Sequence, residues 1–101
     1  MTQQASIKIP ADHPAFTGHF PGRPILPGVV LLDEAARCIA GALSLGPEPL
    51  WEISRLKFLR PALPGDQLDL RWSTTAAGDI RFRIERAGEA LAEGVLRDAT
   101  P

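Results

Sequence analysis

His19, Gly28, Val29 and Asp33 are the residues of this chain whose types and spacing could do chemistry together. His19 stands in a segment crowded with proline and glycine. Gly28 and Val29 follow Pro27 at the start of an apolar run, and Asp33 lies inside that run, fourteen positions beyond His19. An imidazole takes up a proton near neutral pH. If the run is a helix, the backbone N–H groups of its first turn have no partner inside it and stand at the positive end of its dipole. They can hold an oxygen that gains negative charge, and a glycine there lets a substrate approach the backbone. A carboxyl group among apolar side chains has its acid form favoured, so Asp33 can give a proton. Base, oxyanion site and acid together suit removal of a proton alpha to a thioester carbonyl and loss of water from the beta carbon. That reaction needs neither metal nor organic cofactor. The same residues also have plain readings. A loop histidine is commonly structural, and Asp33 and Arg37, four apart, can simply pair on a helix face for roughly 0.2–0.5 kcal/mol.

The elements that must position these residues are legible from punctuation and periodicity. Pro10, Pro14, Pro21, Pro24 and Pro27, with Gly18, Gly22 and Gly28, exclude a helix or central strand in this stretch. Phe16, Phe20, Ile25 and Leu26 are too apolar for a free linker, so the stretch reads as an ordered loop packed on the body of the protein. Val29–Leu43 reads as the one helix, roughly 22 Å long. Pro27 suits its first turn, and Gly46, Pro47 and Pro49 end it. Apolar residues cover nearly its whole circumference, interrupted by Asp33, Glu34 and Arg37, which predicts burial on most sides. Ala5–Ile9 is an expected edge strand. Leu50–Arg60 is a long strand with Trp51, Ile53 and Phe58 on one side. Leu68, Leu70 and Trp72, then Ile80, Phe82 and Ile84, alternate with polar residues as in half-buried strands. Leu91 and Val95 mark a last strand, and the short turns between strands make the pairing antiparallel. The predicted fold is α+β, an antiparallel sheet of four or five strands wrapped round one buried helix, which is the hot-dog arrangement.

Length and composition bound the rest. The 101 residues make one domain, 1–101. A chain this short buries only about two thirds of its unfolded surface, so pairing with a second copy would add apolar burial. Hydrophobic residues at 45% and charged residues at 23% are those of an ordinary soluble protein. A net charge of -1 with no basic block gives no reason to expect nucleic-acid binding. Cys38 is the one cysteine, which excludes an intrachain disulfide, and two histidines at no ligand spacing argue against structural zinc. Neither a signal-peptide run nor a membrane-spanning stretch is present, so a cytoplasmic setting is expected.

The run from Phe16 to Val29, FTGHFPGRPILPGV, resembles the signature loop of bacterial 3-hydroxyacyl-acyl-carrier-protein dehydratases. The run from Lys57 to Leu68, KFLRPALPGDQL, is similar to that family's long strand and following turn. Together they cover roughly residues 13–70. The resemblance implies the hot-dog fold and a homodimer with its two sites at the subunit interface, or a higher or mixed assembly. It implies a substrate carried on phosphopantetheine by an acyl carrier protein. Carried over by position, His19 is the catalytic histidine, Gly28 the glycine whose amide binds the thioester oxygen, and Asp33 the catalytic acid, with histidine and acid supplied by opposite subunits. Glu34, about 100° further round the helix, is the rival acid. Many members have glutamate at the Asp33 position, and a glutamine one turn later is Arg37 here. Compact relatives of this kind occur in aryl-polyene pigment clusters.

Arg23, Lys57 and Arg60 are candidate contacts to an acidic carrier protein, with solvated surface charges as the plain alternative. His13, before Pro14, is expected to be structural or exposed. Trp51, Trp72, Phe58 and Phe82 are expected in the core, some of them lining an acyl tunnel, and Cys38 as a small buried apolar residue. Two other functions use the same residues. A hot-dog thioesterase would direct water at the carbonyl, and a non-catalytic subunit would support an active homologue.

Overall fold

A computed structural model describes residues 2–16, 25–46 and 49–99. His19 and Arg23 lie outside the described residues. In chain order, β1 is Gln3–Lys8, a single 3-10 turn is Pro14–Phe16, α1 is Gly28–Ala42, and β2 to β5 are Trp51–Phe58, Gln67–Thr74, Ile80–Arg86 and Glu89–Asp98. The strands form one antiparallel sheet in the order β1-β3-β4-β5-β2. The expected alternation decides its faces. Ile7, Leu68, Leu70, Trp72, Ile80, Phe82, Ile84, Ala92 and Leu96 are buried in one cluster with Leu31, Ala35, Ala36 and Ile39 of α1.

The structure corrects the helix in three respects. It begins at Gly28, one residue early, with Pro27 as N-cap at φ -56° and ψ 139°. It ends at Ala42, before Gly46 and the prolines can act. The N–H of Leu45 donates to the Ala40 carbonyl at 2.9 Å and that of Ser44 to the Gly41 carbonyl at 3.3 Å, with Ser44 left-handed at φ 55°. These bonds satisfy the last carbonyls of α1 without a glycine. Nor is the helix buried on most sides. Leu31, Ala35, Ala36, Ile39 and Ala40 are buried, while Val29, Asp33, Arg37 and Gly41, at steps of four, form an exposed stripe.

β2 also departs from expectation. The turn at 63–66 does not make a hairpin of β2 and β3. Residues 59–66 carry the chain across, and β2 pairs with β5 at the sheet edge. Ile53 pairs with Leu96 and Arg55 with Val95, which leaves Ser54 as an extra residue in a β-bulge. Strict alternation would put Phe58 on the face opposite Trp51 and Ile53. The bulge shifts the phase, so Leu56 and Phe58, opposite Gly94 and Ala92, return to the side that faces α1. Gly94 permits this. A Cβ there would stand 2.5 Å from the Arg55 carbonyl oxygen and 2.9 Å from the Phe82 ring. Gly94→Ala is therefore expected to destabilise the fold by about 1–3 kcal/mol. The measurement is a urea unfolding midpoint, and an unchanged midpoint would mean that the bulge has room to spare.

Candidate active site

The amino end of α1 is open. Pro27 has no side chain that can cap it, and no side-chain hydrogen bond is made there. The amides of Val30 and Leu31 both donate to the Pro27 carbonyl, at 3.0 and 3.2 Å. No hydrogen bond among the described residues takes the amides of Gly28 or Val29. Among the described residues, two N–H groups at the positive end of a helix are thus left for an oxygen that gains charge. Gly28 is fixed by packing as well as by access. The Phe58 ring lies over it, so that a Cβ on Gly28 would come within 2.9 Å of the ring. Leu26, Pro27, Gly28, Phe58, Arg60 and Ala62 line a groove of about 220 Å³ at this point. The backbone beside it is pinned by the N–H of Leu26, which donates to the Ala62 carbonyl at 2.8 Å.

Asp33 lies a little over one turn along α1, on the exposed stripe. Its neighbours Val29, Leu32, Ala36, Trp51, Ile53 and Leu96 form a mostly apolar groove of about 160 Å³ between helix and sheet edge. A second hollow of about 590 Å³ continues past Ala36, Ala40, Gly41 and Trp51. The plain reading of Asp33 is also realised. Arg37 Nη2 stands 2.8 Å from Asp33 Oδ2, with both side chains more than half exposed. The oxygen that would give a proton is engaged by a guanidinium within the single chain.

The remaining candidates divide. His19 and Arg23, and with them the expected base, lie outside the described residues. Glu34 turns away from the Asp33 groove, and its Oε1 stands 3.7 Å from His13 Nε2. Arg60 reaches the groove at Gly28, but its guanidinium serves the sheet. Nη1 donates to the Ala90 carbonyl at 2.8 Å, and Nε lies 3.3 Å from Glu89 Oε2. Lys57 pairs with Glu93 and falls on the face of β2 opposite Phe58, so the two are not convergent. Trp72 and Phe82 are core, whereas Trp51 is half-buried and Phe58 is 47% exposed. Cys38 is half-buried, and burial pushes its thiol pKa up, which suits a packing residue and not a nucleophile. Phe58 was expected only as core or tunnel lining. Its seat on Gly28 depends on a bulge that has no sequence signal of its own.

One helix laid on a five-stranded antiparallel sheet, with its open amide end beside a carboxylate and an edge groove, defines a hot-dog protein. A solved dehydratase heterocomplex, ApeI:P from Xenorhabdus doucetiae, contains a chain of this fold. It superposes with a TM-score of 0.76 at 24% identity, over 95% of this chain and 85% of that one. The family is shown by the sequence comparison. The ApeI-like family, described as ApeI dehydratase, matches residues 1–95, and the chain belongs to it. The 3-hydroxyacyl-[acyl-carrier-protein] dehydratase FabZ of Anaeromyxobacter sp. (strain Fw109-5) is 39% identical over 93 residues, which span 82% of this chain and 58% of that protein. The enzyme of the same name from Klebsiella pneumoniae subsp. pneumoniae is 38% identical over 108 aligned positions, 96% of this chain and 69% of that one. The chain thus spans between 58% and 69% of the length of these two relatives.

The Asp33–Arg37 pair has a measurable consequence. Exposed pairs at this spacing are worth about 0.3–0.5 kcal/mol. Arg37→Ala should therefore lower unfolding stability by no more than about 0.5 kcal/mol. A urea titration checks this, and a markedly larger loss would make the pair part of the fold.

Proposed function

We propose that this chain, acting as one domain, removes water from a 3-hydroxyacyl thioester to give a trans-2-enoyl thioester. The observation that carries the reading is the uncapped first turn of α1, where no described residue takes the Gly28 and Val29 amides, with one groove at Gly28 and a second at Asp33 a little over one turn further along the helix. In the proposed mechanism the thioester oxygen lies against these amides, and their dipole favours the charge it gains as the alpha proton leaves. His19 takes that proton. Asp33, released from Arg37, protonates the leaving hydroxyl, and water departs with the electron pair of the beta C–O bond. The grooves past Trp51 and Ala36 suit an acyl chain. Arg23 and Lys57 are proposed contacts to an acidic acyl carrier protein, joined by Arg60 where its guanidinium leaves Glu89 and the Ala90 carbonyl, and no cofactor is required beyond the phosphopantetheine that bears the substrate. No described helix is long and apolar enough to cross a membrane.

The two sheet edges support assembly through β2. β1 shows polar residues at its edge, among them Lys8, which discourages strand addition. Among the described residues β2 bonds to β5 on one side only, and Leu50, Ile53, Phe58 and Leu59 are exposed along it, with Val29 of α1 nearby. A second copy laid along β2 would cover this apolar surface and complete a site from two chains. A mixed assembly is the second reading, favoured by the hold of Arg37 on Asp33 and by the Xenorhabdus heterocomplex.

The test is turnover of a 3-hydroxyacyl thioester by the purified chain. A conjugated enoyl product is expected. Release of free thiol would make the protein a thioesterase, and product formed only with a homologous subunit would favour the mixed assembly. Within the dehydratase reading, His19→Ala and Asp33→Asn should each lower kcat by about 10²–10⁴-fold, with little change in melting temperature. Glu34→Gln should cost far less than Asp33→Asn, and the reverse order would reassign the acid.

A further inference from the structure

His13 and Glu34 are brought together although they take no part in the proton transfers just described. His13 Nδ1 accepts a hydrogen bond from the Ala15 amide at 3.0 Å, so Nε2 carries the proton. That nitrogen points to Glu34 Oε1 at 3.7 Å, and the two side chains are 19% and 32% exposed. The same residue organises the 3-10 turn. Its own amide donates to the Pro10 carbonyl at 3.1 Å, its carbonyl accepts from the Phe16 amide at 3.0 Å, and the Phe16 ring meets the imidazole edge-on at 6.2 Å. Phe16 in turn packs against the core. His19 follows Phe16 by three residues, a reach of at most about 11 Å. The pair therefore ties the last described residues before His19 to the helix that bears Gly28 and Asp33.

We propose that His13 and Glu34 are positioning residues, which set the turn carrying the chain into His19 against α1 and so align base and oxyanion site. This rests on His19 being the base. The 3.7 Å separation is wider than a hydrogen bond. It is a contact that orients the turn and adds little to stability. Its effect belongs to turnover, because misplacement of a catalytic group by about 1 Å can cost on the order of 10²-fold.

Two amides separate the roles of the imidazole. Asn at position 13 keeps an acceptor at the reach of Nδ1 and loses the donor to Glu34. Gln keeps a donor at the reach of Nε2. His13→Asn and Glu34→Ala should each lower kcat by about tenfold, with KM and melting temperature little changed. The double variant should be no slower than either single one, and His13→Gln and Glu34→Gln should recover most of the activity. Losses that multiply in the double variant, that fall on KM, or that Gln does not rescue would overturn the proposal. A second readout needs no turnover. The chain has two histidines, so the His19 ring resonances are assigned by substitution of His13. They should move alike in His13→Asn, Glu34→Ala and the double variant. Unmoved resonances would overturn the positioning role. Moved resonances in a protein without dehydratase activity would uphold it and sink the proposed function instead.

Discussion

A single sheet can cover one side of a helix, and much of this structure follows from that limit. Leu31, Ala35, Ile39 and their neighbours satisfy the sheet. The other side of α1 keeps Val29, Asp33, Arg37 and Gly41 in the open. An apolar helix that is dressed on one flank only leaves a groove where it overhangs the last strand. That groove is where Asp33, Trp51 and Ile53 meet. Incomplete burial and an exposed carboxylate are thus one feature. The described strands leave this flank of the helix uncovered, and it is the proposed place for both substrate and a second subunit.

The amino end of the same helix depends on a longer chain of causes. Gly94 in β5 leaves space for the Arg55 carbonyl, and the strand can then carry the extra residue Ser54. The extra residue turns Phe58 inward, and its ring comes to rest on Gly28. Pro27 offers no side chain to cap the turn above it, so among the described residues nothing claims the Gly28 and Val29 amides. Gly94, far in sequence from the adjacent Pro27 and Gly28, thereby helps to shape the groove at the helix start. Each is required by close approach or by the lack of a cap, and neither glycine has a positive φ.

This explains what could and could not be read in advance. The alternation in β3 and β4 is strict because each strand has one wet and one buried face, and Leu68 to Trp72 and Ile80 to Ile84 fell where that pattern puts them. The helix was evident from its apolar run and from Pro27. Its exposed stripe was hidden, since Val29 and Gly41 look no different from the residues buried beside them. Grouping Trp51, Ile53 and Phe58 on one side contradicted their spacing and holds only through the bulge, an insertion that depends on what faces it across the sheet. Ser44 ended the helix where glycine and proline a few residues later seemed the better stops. His13 and Glu34 are twenty-one positions apart in sequence and stand 3.7 Å from one another in the fold. No local periodicity reports such a contact.

The adjacent carboxylates Asp33 and Glu34 show how helix geometry divides labour. Successive residues point about 100° apart, so one side chain faces the sheet edge and the other faces the turn at His13. Glu34 is held on the side of its own loop, while Asp33 opens toward the uncovered flank, where a second subunit would bring its loop. In the proposed mechanism Asp33 must leave Arg37 before it can give a proton. An exposed pair worth about 0.3–0.5 kcal/mol opens at the cost of roughly a factor of two in population. Displacing the guanidinium is well within what an incoming acyl chain gains by covering Val29, Trp51 and Ile53, where each buried methylene is worth about 0.8 kcal/mol. In the proposed mechanism the contacts that would seat the substrate also suffice to open the Asp33–Arg37 pair.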